Sequence, residues 1–182
     1  MTLETLYYMT QIIAVLAILG SLIAIWFQMR QNQMVERADS QRELLAKAVQ
    51  WTNTVRDDKE LLDVVARLLE DYASADPADQ ARFFAWGFEL LMTVEMAMYM
   101  HKDGFMNDAS YDGFMQVGMS VIKTPGGQEW WEEVRHIWGA DAVEELAKRM
   151  SEIGNQVPPY NELRPDFKRY MDQKRRETVD AS

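Results

Sequence analysis

Leu6-Tyr7-Tyr8-Met9-Thr10-Gln11-Ile12-Ile13-Ala14-Val15-Leu16-Ala17-Ile18-Leu19-Gly20-Ser21-Leu22-Ile23-Ala24-Ile25-Trp26-Phe27 contains no charged side chain. As a helix, this run reaches about 33 Å, close to the ~30 Å hydrocarbon core of a bilayer. Two other readings compete. A cleavable signal peptide has a basic n-region and a small-x-small cleavage site. Here Glu4 is the only charged side chain before the run, and Gln28-Met29-Arg30-Gln31 follows it. A buried core helix rarely stays uncharged for so long. The run therefore reads as a transmembrane anchor over residues 1–30. Tyr7, Tyr8 and Trp26 stand near its ends, where amphipathic rings favour the headgroup level.

Lys and Arg beside a span stay on the cytoplasmic side. Arg30, Arg37, Arg42 and Lys47 follow the run, whereas only Glu4 and the α-amino group precede it. The expected topology is a single pass through a bacterial inner (cytoplasmic) membrane, with the N-terminus out and the body cytoplasmic. The absence of cysteine fits a reducing compartment.

Net charge is −10, unevenly placed. Residues 57–163 carry 21 acids against 8 bases, whereas 30–56 and 164–182 are each slightly basic. An acidic middle argues against nucleic acid as partner, because phosphate binding needs a clustered basic face. Arg30, Arg37, Arg169, Lys174, Arg175 and Arg176 are candidates to face anionic lipid. The acidic surface otherwise serves solubility.

The expected fold is all-α: the membrane helix continues into a helical bundle. Residues 31–56 form a juxtamembrane helix, 57–157 the bundle, and 158–182 a basic tail that is either a short helix near 165–177 or partly disordered. Met34, Ala38, Gln41/Leu45, Ala48/Val49, Thr52 and Val55 give the juxtamembrane helix an apolar stripe. Asp57 or Asp58 caps a second helix, and Asp76-Pro77 starts a third. That third helix, about 77–101, is apolar on nearly every face and is expected to be buried on all sides. A second membrane span is the alternative reading, but Arg82, Glu89 and Glu95 interrupt it. Gly104 ends it at C′. A fourth helix covers about 108–123, and Thr124-Pro125-Gly126-Gly127 suits a type II turn.

The order of parts resembles a family of small bacterial proteins with one N-terminal transmembrane helix and an all-helical domain. The matching residues are Gln28-Met29-Arg30-Gln31-Asn32, Asp58-Lys59-Glu60-Leu61, Glu95 through Tyr99 and His101 to Gly104, and Thr124-Pro125-Gly126-Gly127-x-x-Trp130-Trp131. The resemblance spans about residues 6–150 and implies architecture only, because the family brings no activity with it.

Chemistry is sparse. Two histidines and no cysteine leave few catalytic routes. Glu133-x-x-His136 puts a carboxylate and an imidazole on one helix face, but a di-iron bundle needs a second such motif, and Met98 stands three residues before His101. No Gly-x-Ser-x-Gly elbow or phosphate-cradling loop is present. No enzyme, metal or cofactor is expected. Glu89 and Glu95 lie in the most apolar helix and are candidate buried acids, paired with Arg67, Arg82, Arg135 or a tyrosine such as Tyr99. Trp130 and Trp131 point about 100° apart on a helix and cannot both face one core, so one is expected to pack under the Pro125-Gly126-Gly127 turn and the other to lie at an interface. Gly20 and Ser21, with Ala17 and Ala24 a turn away, form a small-residue patch suited to helix approach.

These features point to a membrane-anchored interaction protein: an accessory or scaffolding subunit of a membrane complex, or a homo-oligomer, touching lipid and other membrane subunits. The alternative is a membrane-tethered sensor or adaptor that binds a small apolar ligand in the bundle. A metal-dependent enzyme acting through His136 is a third reading.

Overall fold

The computed structural model describes residues 3–180. Its elements, in chain order, are α1 (Leu3–Asp57), α2 (Lys59–Leu68), α3 (Pro77–Lys102), α4 (Asp108–Ile122), α5 (Pro125–Val134), α6 (Ala140–Ile153), α7 (Tyr160–Leu163) and α8 (Pro165–Asp180). Short 3-10 turns follow α5 and α6, and no strand occurs among the described residues. The fold is all-α, with one long apolar N-terminal helix followed by a helical domain. Packing divides the chain into two units, one ending at Arg42 and the other beginning at Glu43.

In the first unit, α1 holds its large apolar side chains from Leu6 to Phe27 exposed. By length and composition, α1 can cross a membrane. Ser21 Oγ donates to the Ala17 carbonyl at 2.9 Å, so that hydroxyl is satisfied within its own helix. The Arg30 guanidinium lies 5.6 Å from the Trp26 ring centroid.

In the second unit, caps fix the helix starts. Asp58 accepts from Leu61 N, Asp76 from Ala78 and Asp79 N, Asn107 from Ser110 N, and Thr124 from Gly127 N. Gly104, at φ 72°, closes α3: Phe105 N donates to Met100 O at 2.7 Å and Gly104 N to His101 O at 3.0 Å. This is the paired bonding of a left-handed C-cap.

The core contains Leu44, Trp51 and Val55 from α1, and Tyr160, Phe167 and Met171 from the C-terminal segment. This corrects the expected limits: residues 43–57 and 158–171 belong to the bundle rather than to a separate juxtamembrane helix and tail. The inward stripe of α1 is Leu44, Ala48, Trp51 and Val55: the expected Ala48 and Val55 face inward and Thr52 is half-buried, whereas Leu44 and Trp51 take the inward places and Leu45 and Val49 stay exposed, which brings the bulky Trp51 inside. Trp51 Nε1 donates to Trp86 O at 2.9 Å, and its ring stacks on Trp86 at 5.1 Å.

The expected type II turn at Thr124–Gly127 is instead the first turn of α5, with Thr124 as N-cap and Pro125 at the first helical position. Neither Gly126 nor Gly127 adopts positive φ. They are small for another reason: an added Cβ on either would strike neighbouring backbone.

Candidate functional site

Four regions bear on function. The first is an apolar groove of about 330 Å³ where the end of α1 meets α3 and α4. Leu45, Ala48, Trp51 and Thr52 make one wall, Ala109, Ser110, Gly113 and Val117 the other, and Leu90, Thr93 and Phe114 complete it. No lining residue is ionisable. Thr52 Oγ1 donates to Ala48 O at 3.0 Å and Thr93 Oγ1 to Glu89 O at 2.8 Å, so both hydroxyls are committed to their own helices. Leu45 in this wall is exposed, as is Val49 on the same helix.

The second region is the outer face of α3. Met92, Met96 and Tyr99 are 40%, 37% and 43% exposed and recur at helical spacing. Ile137 is also exposed. The expectation that α3 is buried on all sides is thus corrected: Phe83, Trp86, Leu90, Leu91, Val94 and Ala97 face the core, but one methionine-bearing stripe does not. Periodicity missed it because methionine reads as core in sequence and serves equally on adaptable surfaces.

Glu89 and Glu95 are half-buried rather than buried. The bases expected to pair with them are engaged elsewhere: Arg67 with Asp79 at 2.5 Å, Arg82 with Glu60 at 3.4 Å, and Arg135 with Glu132 at 3.1 Å. Near the bundle surface a carboxylate keeps water and does not need the partner a buried one requires. Glu95 and Trp131 line a cavity of about 20 Å³, too small for anything larger than a water molecule. Trp130 is wholly buried. Its candidacy as an interaction residue is corrected, because its ring packs edge-on to Phe83 at 5.7 Å and covers Gly87. Trp131 is half-buried. Gly20 and Ser21 lie on the exposed run of α1, and no neighbouring side chain would meet a Cβ on Gly20 within 4 Å.

The third region is the junction of α2 and α8. Tyr170 donates to Asp63, Lys174 lies 3.3 Å from the same carboxylate, and Arg175 pairs with Glu70. Lys174 therefore ties α8 to α2, and Arg175 ties it to Glu70 just after α2, with the Arg175 side chain still exposed. Arg169 and Arg176 are exposed, as are Arg30 and Arg37. The signal for this docking was present in sequence: Phe167, Tyr170 and Met171 fall at i, i+3, i+4.

The fourth is a polar lock between α4 and α6. Tyr111 Oη donates to Glu145 at 3.0 Å, and Arg149 reaches Glu145 at 3.2 Å and Asp112 at 2.8 Å. His101 stacks on Tyr111 at 4.3 Å and meets Asp108 at 2.9 Å. Burial, reinforced by Glu145, pushes the Tyr111 phenol up to about 12. Burial works to raise Glu145 too, but the bonds from Arg149 and Tyr111 prevail and hold it below the ordinary carboxylate value. Its stabilisation is present above ~4.3 and is lost as pH falls through the lower folded value. Glu145→Gln is therefore expected to lower the urea midpoint at pH 7, with the gap from wild type closing as pH drops below ~4. A pH-independent gap would contradict this. His136 is exposed on the turn after α5 and takes no part in the lock.

No family model, curated protein or solved structure matches the chain.

Proposed function

We propose that this is a single-pass membrane-anchored helical interaction protein, an accessory or scaffolding subunit of a membrane complex or a self-associating scaffold. One observation carries the reading: α3 leaves Met92, Met96 and Tyr99 exposed on a helix whose other face is the bundle core. Flexible thioethers suit a surface that adapts to a partner helix. Glu89 and Glu95 stand within a turn of this stripe, so the partner offers apolar knobs flanked by bases. The charge-free run in α1 supports the anchor, and the bases after it support an N-out topology in a bacterial inner membrane with the bundle in the cytoplasm.

The test is purification of the full chain from its native membrane in gentle detergent, followed by native mass determination. Wild type is expected to retain a stoichiometric partner subunit or a second copy. Met92→Glu with Met96→Glu is expected to reduce that occupancy at least tenfold while leaving the helical circular-dichroism signal intact. Equal occupancy in the variant sinks the proposed docking face.

A further inference from the structure

α8 enters the core by one face only. At about 100° per residue, Phe167, Tyr170, Met171 and Lys174 span about 100° of its circumference. Phe167 and Met171 are buried, and Tyr170 and Lys174 reach Asp63. Arg169 and Arg176 lie about 160° round from the middle of that arc, and Lys168 stands on its flank. All three are exposed, and none has a carboxylate partner among the described residues. Acids are not scarce: residues 57–163 carry 21 against 8 bases. Nearby Arg164, Lys174 and Arg175 each hold one. Asp172, which shares the outward face, lies 3.7 Å from Arg175. The fold thus leaves one positive face uncompensated on an otherwise acidic domain.

The make-up of that face selects its partner. Between Pro165 and Glu177 it carries no large apolar side chain, and Leu163, 37% exposed, stands just before it. A protein interface is built round an apolar centre, which this face lacks. Nucleic acid needs a more extensive basic face, and the acid-rich remainder of the domain repels it. A layer of anionic headgroups needs little beyond positive charge. Such a layer is also within tether range, since the same chain carries a helix that can cross a membrane.

We propose that the outward face of α8, formed by Lys168, Arg169 and Arg176, binds the anionic headgroups of the bilayer that α1 enters. This proposal rests on α1 as the membrane anchor and is independent of the α3 docking face. Each base at such a surface favours the bound state about fivefold, so the three together are worth roughly a hundredfold.

The test uses the full chain in nanodiscs of phosphatidylcholine alone or with about one-third phosphatidylglycerol. The chain has no cysteine, so Gln173→Cys carries a single bimane label on the exposed side of α8. Nitroxide on the lipid headgroups quenches the label when α8 lies on the surface. Quenching is expected only in the anionic discs. It is expected to fall to the phosphatidylcholine level in Lys168→Gln/Arg169→Gln/Arg176→Gln and in about 0.5 M salt, which screens charges beyond a few ångströms. Equal quenching in both discs, quenching in neither, or quenching that the triple variant keeps would each overturn the proposal. So would loss of an acidic subunit from the triple variant purified from native membrane, with the label unquenched, because the face would then belong to a protein. If the triple variant melts lower than wild type, the salt titration of wild type decides alone. A second label at Leu16→Cys, read with nitroxide on the acyl chains, reports the anchor. Quenching there in both discs with α8 silent sinks only the α8 proposal, whereas an unquenched Leu16→Cys label sinks the anchor reading with it.

Discussion

Gly126→Ala is expected to abolish the cooperative unfolding transition of the bundle. A Cβ at this position would lie on the Leu68 carbonyl oxygen and 2.9 Å from both Leu68 C and Tyr72 N. These are backbone atoms, so no rotamer change relieves the clash. Moving α5 away is costly as well, because Gly126 N donates to Leu69 O at 3.0 Å and the Glu129 carboxylate accepts from Tyr72 N and Ala73 N, each at 2.9 Å. One short segment thus closes the open end of α2. Its own start is tied down by Thr124, wholly buried, which donates to Val121 O at 2.7 Å and caps Gly127 N at 3.1 Å. Alanine in a helix gains up to ~1 kcal/mol over glycine, which is the opposing effect. The clash outweighs it: a loss above ~4 kcal/mol is the expected scale, comparable with the 5–15 kcal/mol that holds a domain together. Thermal melts of the full chain in detergent, followed at 222 nm, decide it. A midpoint within about 3 °C of wild type would mean that α2 and α5 do not approach this closely.

The second large effect is expected at Trp130. Trp130→Ala removes a wholly buried indole that packs on Phe83 and lies over Gly87, at a cost of about 3–5 kcal/mol. Trp130→Phe keeps most of the ring and removes an indole N–H that has no acceptor among the described residues, so it is expected to cost under about 1.5 kcal/mol. The contact with Gly87 makes a sharper test. A Cβ on Gly87 would stand 2.7 Å from the Trp130 ring. Gly87→Ala is therefore destabilising alone, but neutral or stabilising in the Trp130→Ala background. A double-mutant cycle by urea denaturation measures this coupling, and strict additivity would mean that the ring does not cover Gly87.

Both predictions concern the Thr124–Trp131 segment, whose meaning sequence and structure divide between them. Proline and glycines in a row suggested a turn, since that is their commonest local use. The structure uses the same residues as a helix start pressed against another helix. Local propensity cannot tell these apart, because the deciding contact comes from Leu68 and Tyr72, more than fifty residues earlier. The candidate site divides likewise. Spacing marked Leu45, Ala48 and Thr52 as one face of a helix, but the groove exists only because α4 sets Ala109 and Gly113 opposite them. Nothing in the sequence signals that juxtaposition. Methionines on α3 were legible as apolar, whereas their exposure depends on which faces α2 and α4 cover.

Legible in the sequence itself is the set of local decisions: the charge-free run, an all-helical chain, a helix start at Asp57 or Asp58, another at Asp76, and a glycine stop at Gly104. Each is settled within a turn or two of chain, by hydropathy, a capping oxygen or the absence of a Cβ. Which apolar faces find partners is settled instead by the packing of the folded chain. That choice enclosed Trp130, drew the basic C-terminal segment onto α2 through Asp63 and Glu70, and left the α3 stripe and the groove uncovered. Burial belongs to pairs of elements distant in sequence, and a helix cannot specify from its own residues which neighbour will cover it.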